Sequence, residues 1–502
     1  MNNLKKTLAL MATLVMAATA FVGCGDEKTS SASESKTESS ADESSAAEET
    51  TAGEGEETTD APAASAKSEE VGAIDASVGT GDSTFTVAAW DANDVPYLIA
   101  QWKGLSFDTI ADDLANDKVE GVKFINFGCG GGDAPEKIDQ LLAGGDDLDV
   151  YFCEADWALK YIGSDNTLDL AKLGFTDANF ADLYSYTDEI GKDSNGVRKG
   201  ASWQAAAGGF MYRSDLAEQY LGVKSPAEMQ AKIGNWSDFV AAAQTISEAS
   251  GSSVALADTL GGMWQAYACG RTTPWVKDNK LQIDDFCEEF ANNAKALWDC
   301  GGVTKNTQWS DAWTAAGVNG SCMGYFVSTW GFGGFALDAS GYNKDTKTGE
   351  TYGKWAVCQG PASYYWGGTW IVVNSATNNG EEAQQFIKTA TVDSAAMKDY
   401  AQKKPEYVNN KVVMEELVGS NVVMNQAVTD NFGGQNYFAE LHENAKSINF
   451  NGLITQYDAT VKTDFIDAVQ KTMLEGSGSW DDTKEAFKDK VANDIPDLDW
   501  DE

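Results

Sequence analysis

Histidine, basic side chains and long apolar runs are scarce in this sequence. His442 is the only histidine among 502 residues, so a Ser-His-Asp triad or a histidine-based zinc site would depend on it alone. It stands in a helical-looking segment, where a surface or core role is the simpler interpretation. Lys and Arg number 36 against 77 acidic residues, which gives a formal net charge of -41. That charge argues against binding to nucleic acid, anionic lipid surfaces or polyphosphate ligands, since each of these binds to a positively charged protein surface.

The eight cysteines contain no CxxC pair, so zinc-ribbon spacing and thioredoxin-like chemistry are excluded. After Cys24 an odd number remains, and several stand in apolar context, such as Cys153 behind Val150-Tyr151-Phe152. These read as small core residues, although one or two disulfides remain an alternative. We expect no catalytic, metal or cofactor site.

The first residues have the pattern of an export signal. Lys5 and Lys6 precede an apolar run from Leu8 to Val22, too short to span a bilayer comfortably and of the right length for a signal peptide. The run ends in Phe21-Val22-Gly23-Cys24, which resembles a bacterial lipobox. Residues 1–24 are therefore predicted to be a lipoprotein signal with lipidated Cys24, and a plain secretory signal is the alternative.

Residues 25–82 are rich in Ser, Glu, Thr and Ala and contain no aromatic side chain. Such a segment cannot bury enough apolar surface to offset its ordering entropy. We predict a disordered tether with a root-mean-square span of roughly 40 Å. The alternative is a charged tail that binds a partner.

The rest of the chain holds nearly all of the aromatic residues and alternates strand-like with helix-like segments. Strands are predicted at 84–89, 121–127 and 149–153, with helices across 107–115 and 134–143 between them. This order predicts an α/β fold with parallel strands, in which ligands bind beyond the carboxyl ends of the strands. Trp90-Asp91 and Glu154 to Trp157 would stand at those ends.

Gly128 to Asp133 superficially resembles a phosphate-binding loop before a helix. It lacks the Lys-Ser/Thr pair of a P-loop. A flexible turn that leads into the helix is the better interpretation.

Four stretches together resemble the sugar-binding, maltose-binding-protein-like family 1 of extracellular solute-binding proteins of ABC importers. They are Leu141 to Val150, Tyr212 to Leu216 with Trp236-Ser237-Asp238-Phe239, Val318 to Gly324, and Trp366-Gly367-Gly368-Thr369-Trp370. Each is weak alone, but their order behind a lipobox and tether is more specific. The segment around Gln101 to Gly104 departs from the family's long first helix.

The resemblance implies a two-lobed periplasmic-binding-protein-like fold of type II, each lobe a sheet flanked by helices, with a ligand cleft between the lobes. We place lobe 1 at 83–203 plus 367–404 and lobe 2 at 204–366 plus 405–502. It also implies a monomer that binds a carbohydrate, docks on ABC transporter permease subunits and is lipid-anchored on the extracellular side of a Gram-positive-type membrane.

Sugar binding needs aromatic platforms for C–H faces and planar polar groups for hydroxyl pairs. The candidates at predicted loop positions are Trp90, Asp91, Glu154, Asp156, Trp203, Gln204, Trp264, Trp330, Trp366 and Trp370. The alternative for each of these tryptophans is a position in the hydrophobic core. Trp157, Trp236 and Trp298 are assigned to the core, and the cluster Asn306 to Trp313 is a further possible cleft lining.

The abundance of tryptophan favours an oligosaccharide over a monosaccharide. Two other functions remain open. A secreted glycoside hydrolase needs two carboxylates that flank the scissile bond, and the chain has many acids. A surface adhesion module that never feeds a transporter could use the same aromatic cleft.

Overall fold

The computed structural model describes residues 70–81, 83–145, 147–420, 425–449 and 453–500. The predicted signal peptide, Cys24 and most of the predicted tether lie outside the described residues. Across the ranges that are described, every helix is too short or too polar to cross a membrane.

The folded part begins earlier than the sequence predicted. Gly72 N donates to Gly174 O at 2.9 Å and Gly81 N donates to Asn378 O at 2.5 Å. Val78 is buried between these two contacts. Residues 72–81, which the sequence assigned to the tether, are therefore part of the domain.

The described residues contain ten strands. They are β1 Phe85–Ala89, β2 Val122–Asn126, β3 Val150–Glu154, β4 Gly200–Ser202, β5 Gly208–Arg213, β6 Val276–Lys277, β7 Lys280–Leu281, β8 Gly324–Ser328, β9 Trp355–Cys358 and β10 Thr369–Val373. The three predicted amino-terminal strands match β1, β2 and β3 within two residues.

The α-helices of the first half of the chain surround these strands. They are α1 Val95–Lys103, α2 Ile110–Ala115, α3 Ala134–Gly144, α4 Ala158–Ile162, α5 Ser185–Ile190, α6 Ser214–Leu221, α7 Pro226–Ile233, α8 Trp236–Ser250, α9 Leu260–Ala268 and α10 Asp285–Cys300. Helix α1 ends before Gly104, whose φ of 68° terminates it where the sequence departs from the family pattern.

The second half is mainly helical, as predicted. Its helices are α11 Asp311–Asn319, α12 Thr329–Gly333, α13 Phe335–Asp338, α14 Gly380–Thr391, α15 Ser394–Lys403, α16 Lys411–Val418, α17 Gln426–Asn431, α18 Phe438–Ser447, α19 Asp458–Ala468 and α20 Trp480–Asp494. Short 3-10 helices occupy Gly131–Asp133 and Leu170–Leu173, and a π-helical stretch, Val469–Leu474, continues α19.

Two sheets organise the domain. The five-stranded sheet has the order β2-β1-β3-β10-β4, in which β1 is parallel to β2 and β3 while β10 runs antiparallel to β3 and β4. The three-stranded sheet has the order β8-β5-β9 and is antiparallel throughout. A small hairpin joins β6 and β7.

Alternating side chains bury both faces of each sheet. On β1, Phe85 and Val87 enter one core and Ala88 the core on the opposite face. On β5, Met211 and Phe210 divide between two cores in the same way. This period of two follows from the strand geometry, and the full burial of β1 and β5 shows that both faces of these strands are covered.

Three chain segments connect the two sheets. Residues 203–207 join β4 to β5, residues 359–368 join β9 to β10, and residues 404–410 follow α15. They are held side by side: Gln204 pairs with Val408, and Ala207 pairs with Tyr365, in antiparallel bridges. The predicted lobe boundaries fall in these segments and stay a prediction.

A buried carboxylate fixes the strand that carries the site. Asp149, directly before β3, is fully buried. Its Oδ2 accepts hydrogen bonds from Thr86 N at 2.8 Å and Asn379 Nδ2 at 3.0 Å, and its Oδ1 accepts one from Thr377 Oγ1 at 2.6 Å. These bonds tie β1, β3 and the approach to α14 together.

We predict that Asp149→Ala lowers the free energy of unfolding by roughly 3 kcal/mol, because three buried donors lose their acceptor. Urea denaturation at pH 7 measures this loss. Asp147→Ala, at an exposed position two residues away, is the matched control and should leave the denaturation midpoint unchanged. Equal midpoints for both variants and the parent chain would refute the structural role of Asp149.

Candidate functional site

A cavity of about 2040 Å³ opens where the two sheets face each other. Residues that follow β1, Glu154 at the end of β3, and Gly367 and Gly368 before β10 line one wall. Residues of α12, α13 and the loop before α11 line another. The carboxyl ends of the parallel strands therefore meet at the cavity, as the sequence predicted.

The wall from the five-stranded sheet carries Trp90, Asp91 and Glu154. Trp90 is half-buried and meets Trp157 edge to face, with ring centroids 5.4 Å apart. Glu154 is the last residue of β3 and pairs in register with Thr369 of β10. These three candidate residues lie at the strand ends, where the sequence predicted them, and their role in binding stays a prediction.

A cluster of tryptophans forms the opposite side. Trp309, Trp330 and Trp366 lie with ring centroids 5.1 to 5.7 Å apart, and Trp330 Nε1 donates to Trp366 O at 3.0 Å. Trp309 keeps 52 % of its surface exposed. Its φ of 69° is a conformation that a bulky side chain rarely adopts. An exposed indole held in a strained backbone conformation is a feature typical of binding sites.

A buried neighbour supports this cluster. Trp313 lies 4.9 Å from Trp309 between ring centroids and stacks on Phe335 at 4.1 Å. Its Nε1 donates to Oδ2 of the fully buried Asp258 at 2.9 Å. Burial raises the pKa of Asp258 to about 6, although the Trp313 hydrogen bond opposes the shift. The buried Trp313 ring therefore supports the exposed Trp309 ring on its protein side.

The two walls meet at Gly367. A Cβ atom at this glycine would lie 3.4 Å from Trp330 Nε1 and 3.6 Å from Glu154 Oε1. Glu154 and the tryptophan cluster thus border the same point of the cavity. A flat aromatic surface beside a carboxyl group suits a ligand with an apolar face and a polar rim.

Several cavity carboxyls are poorly solvated. Burial raises the pKa of Asp91 to about 7, and the nearby Asp94 carboxylate adds to the shift. Burial, with Asp156 next to it, raises the pKa of Glu154 to about 8. Glu406 is only 4 % exposed, and burial together with Asp94 raises its pKa to about 8.

Gln204 lines the large cavity beside Glu406. Gln204 is buried, and its Nε2 donates to Glu406 Oε2 at 3.3 Å. The Gln204 side chain therefore fixes the orientation of this carboxyl group in the cavity wall.

Asp156 belongs to a second, small cavity of about 60 Å³ beneath Trp366. It forms an ion pair with Lys462 of α19, so the pair connects the loop after β3 with a helix of the other core. Arg271, over the ring of Trp275, lines the same space. Asp156 does not line the large cavity.

Three predicted tryptophans lie in the core instead of on the large cavity. Trp203 packs edge to face on Phe152 at 5.6 Å, Trp264 stacks on Trp275 at 5.5 Å, and Trp370 Nε1 donates to Thr187 O at 3.1 Å. All three are fully buried, and Trp264 alone borders the small cavity. Hydrophobic packing on both sheet faces takes up these rings, so we leave them out of the site.

The structure adds residues that the sequence did not single out. Glu406 follows Pro405 in the third connecting segment, Asp94 precedes α1, and Phe335 lies under Trp313. Trp309 was only an alternative within Asn306 to Trp313. Tertiary folding brings these residues to the cavity. None of them follows a predicted strand, so the sequence pattern gave no reason to select them. Among the described residues, no group of three or more His, Cys, Asp or Glu side chains is placed to hold a metal ion.

Solved structures with the same fold cover most of the chain. An extracellular solute-binding protein family 1 structure is 17 % identical, covers 83 % of this chain and 99 % of its own, and has a TM-score of 0.65. The galacto-N-biose-/lacto-N-biose I-binding protein of an ABC transporter from Bifidobacterium longum, in complex with lacto-N-biose, is 16 % identical. It covers 82 % of this chain and 98 % of its own, with a TM-score of 0.61.

The GacH receptor of Streptomyces glaucescens, known unliganded and with acarbose, is 16 % identical. It covers 83 % of this chain and 100 % of its own, with a TM-score of 0.59. These likenesses confirm the two-lobed, type II fold. No curated protein matches the chain.

A family model described as bacterial extracellular solute-binding protein matches residues 109–416. The match spans more than half of the chain and includes β2 to β10, so it covers most of both cavity walls. The family is described as one of solute-binding proteins, which confirms the prediction of a binding protein rather than an enzyme. The chain therefore belongs to the bacterial extracellular solute-binding protein family.

Proposed function

We propose that this protein captures an oligosaccharide in the large cavity and delivers it to the permease subunits of an ABC-type importer. The observation that carries the proposal is the cluster of Trp309, Trp330 and Trp366 opposite Glu154. Indole faces stack on the C–H faces of sugar rings, and carboxyl groups bind paired hydroxyls. The cavity volume of about 2040 Å³ has room for more than one sugar ring.

Transport is supported by the family membership and by the three connecting segments. Such segments can act as a hinge, so that closure of the lobes on a ligand changes the surface offered to a permease. The solved relatives from Bifidobacterium and Streptomyces bind lacto-N-biose and acarbose. In this proposal the protein acts as a monomer.

The anchor in this proposal is a lipid on Cys24, on the extracellular side of a Gram-positive-type membrane. The lipobox-like sequence before Cys24 supports it. The acidic, Ser-rich segment that follows would separate the domain from the membrane surface.

The first experiment follows tryptophan fluorescence and thermal unfolding with a panel of mono- and oligosaccharides. Because five tryptophans line the cavity, a bound sugar should shift the emission in a saturable way. The stabilisation should grow with sugar concentration, reaching about 2.7 kcal/mol at a hundredfold excess over Kd. Chromatography should recover the sugar unchanged. Cleavage of the sugar would support a hydrolase instead. If no sugar in the panel changes the fluorescence or the thermal unfolding, the carbohydrate assignment is wrong.

Loss of a cavity indole should weaken sugar binding. Trp309→Ala and Trp330→Ala should each raise the Kd by roughly tenfold, or about 1.4 kcal/mol. Isothermal titration calorimetry measures the change. Trp500→Ala removes an indole that is also exposed but lies outside the cavity, and it should bind like the parent chain. A twofold change or less in both cavity variants would contradict the proposed platform.

The anchor has its own test in a bacterial host. Cys24→Ala should move the protein from the membrane fraction to the medium and abolish labelling by a fatty-acid analogue. Retention of Cys24→Ala in the membrane, with labelling intact, would show that lipidation occurs elsewhere or that another segment holds the protein.

A further inference from the structure

One ion pair joins the two lobes beside the large cavity. Lys462 Nζ donates to Asp156 Oδ2. Asp156 follows β3 of the five-stranded sheet, whereas Lys462 lies on α19, which packs with the core of the three-stranded sheet. The two residues are 306 positions apart in the sequence, so the contact depends on how the folded lobes meet.

Each partner is fixed to a different hydrophobic core. Trp157, next to Asp156, belongs to the core on one face of the five-stranded sheet. Val461, next to Lys462, belongs to the core that also holds Phe210 of β5. A movement of one sheet relative to the other therefore changes the distance between the two charges.

The pair lies at the same sheet edge as the large cavity. Asp156 is two residues beyond Glu154, and its backbone N donates to Glu154 Oε2 at 2.9 Å. Glu154 lines the large cavity, and Trp366 and Gly367 border both this cavity and the small one that contains the pair. Separation of the lobes at this edge would open the cavity and part the two charges together.

An apolar contact crosses between the lobes at the same place. Ile454, in the loop before α19, packs against the core that contains Trp157. The loop is held on the start of α19 because Thr455 N and Oγ1 donate to Asp458 Oδ1 at 2.9 and 2.6 Å. The beginning of α19 thus reaches the other lobe with one apolar and one charged side chain.

The ammonium group of Lys462 is poorly hydrated but stays charged. The side chain is 16 % exposed. Burial alone would lower its pKa, but the nearby carboxyl groups of Asp156, Glu154 and Asp458 raise it. In the closed arrangement, loss of one partner of such a pair leaves the other charge without compensation.

We propose that the Asp156–Lys462 pair is a latch that holds the two lobes closed beside the large cavity before a ligand binds. The inference uses the hinge of the proposed function but holds for any ligand of the cavity. Through the hydrogen bond from Asp156 N to Glu154 Oε2, the closed latch also fixes the orientation of Glu154 in the cavity wall. The latch thereby prepares this wall for the ligand.

The test measures the distance between the lobes in the full chain without ligand. Spin labels are attached through non-natural side chains in place of Lys123 on β2 and Lys232 on α7, both of which are exposed. Cysteine labels are avoided because they would also react with native thiols. Double electron–electron resonance then gives the populations of the closed and open arrangements, and the parent chain should be mainly closed.

Lys462→Met keeps the length of the side chain and removes its charge. We expect the ratio of open to closed molecules to rise by roughly tenfold, because the Asp156 carboxylate loses its counter-ion. Asp156→Asn should shift the ratio in the same direction, and it decides the matter if Lys462→Met fails to fold. Lys462→Arg keeps the charge and should stay near the parent ratio.

Lys160→Met is the matched control. Lys160 lies on α4, is exposed, and pairs with Asp139 of α3, so both partners belong to the lobe of the five-stranded sheet. Loss of this pair should leave the ratio of open to closed molecules unchanged.

The outcomes separate the latch from the carbohydrate proposal. A parent-like ratio in both Lys462→Met and Asp156→Asn would overturn the latch, and so would a parent chain that is mainly open. If a sugar of the panel binds, its Kd for Lys462→Met should rise by the factor by which the closed fraction falls. If no sugar binds but both variants open the lobes, the latch stands and the carbohydrate proposal fails.

Discussion

The turn at Gly367 and Gly368 is the constraint on which the cleft depends. Their φ angles of 71° and 96° lie in the left-handed region that glycine adopts without strain. This turn takes the chain from Trp366 in the tryptophan cluster to Thr369, which pairs with Glu154 in the other sheet. A Cβ atom at Gly368 would also lie 3.1 Å from the Ala206 Cβ, which is a tight contact. The aromatic and acidic walls are adjacent because this short connection joins them.

The chemistry of the cleft follows from that adjacency. Carboxyl groups at the ends of β1 and β3 are poorly solvated and each has a second carboxyl group nearby, which raises the pKa values of Asp91 and Glu154. A polar ligand in the cavity would supply these groups with hydrogen bonds in place of solvent. A ligand with hydrophobic faces and a donor-rich rim is therefore stabilised by both walls, and closure of the lobes would strengthen each interaction by excluding solvent.

Local sequence pattern was sufficient for the parallel strands β1, β2 and β3 and for the residues at their carboxyl ends, whereas the two-lobed fold was expected from the family resemblance and the antiparallel strands had no such signal. The alternation of β1 and the strand-helix order predicted parallel strands, and the rule that their carboxyl ends share an edge placed Trp90, Asp91 and Glu154. The pattern could not distinguish a platform from a core indole: Trp203 and Trp370 follow small residues near strand ends, yet tertiary packing buries both. Glu406 was missed because its contact with Gln204 spans 202 positions and leaves no local signal.

A crystal structure of the chain with a bound oligosaccharide tests the central claim most directly. The account predicts that a sugar ring lies within about 4 Å of Trp309, Trp330 or Trp366, with a hydrogen bond to Glu154 or Glu406. A sugar bound away from these tryptophans, with both carboxyl groups free of ligand, would contradict it.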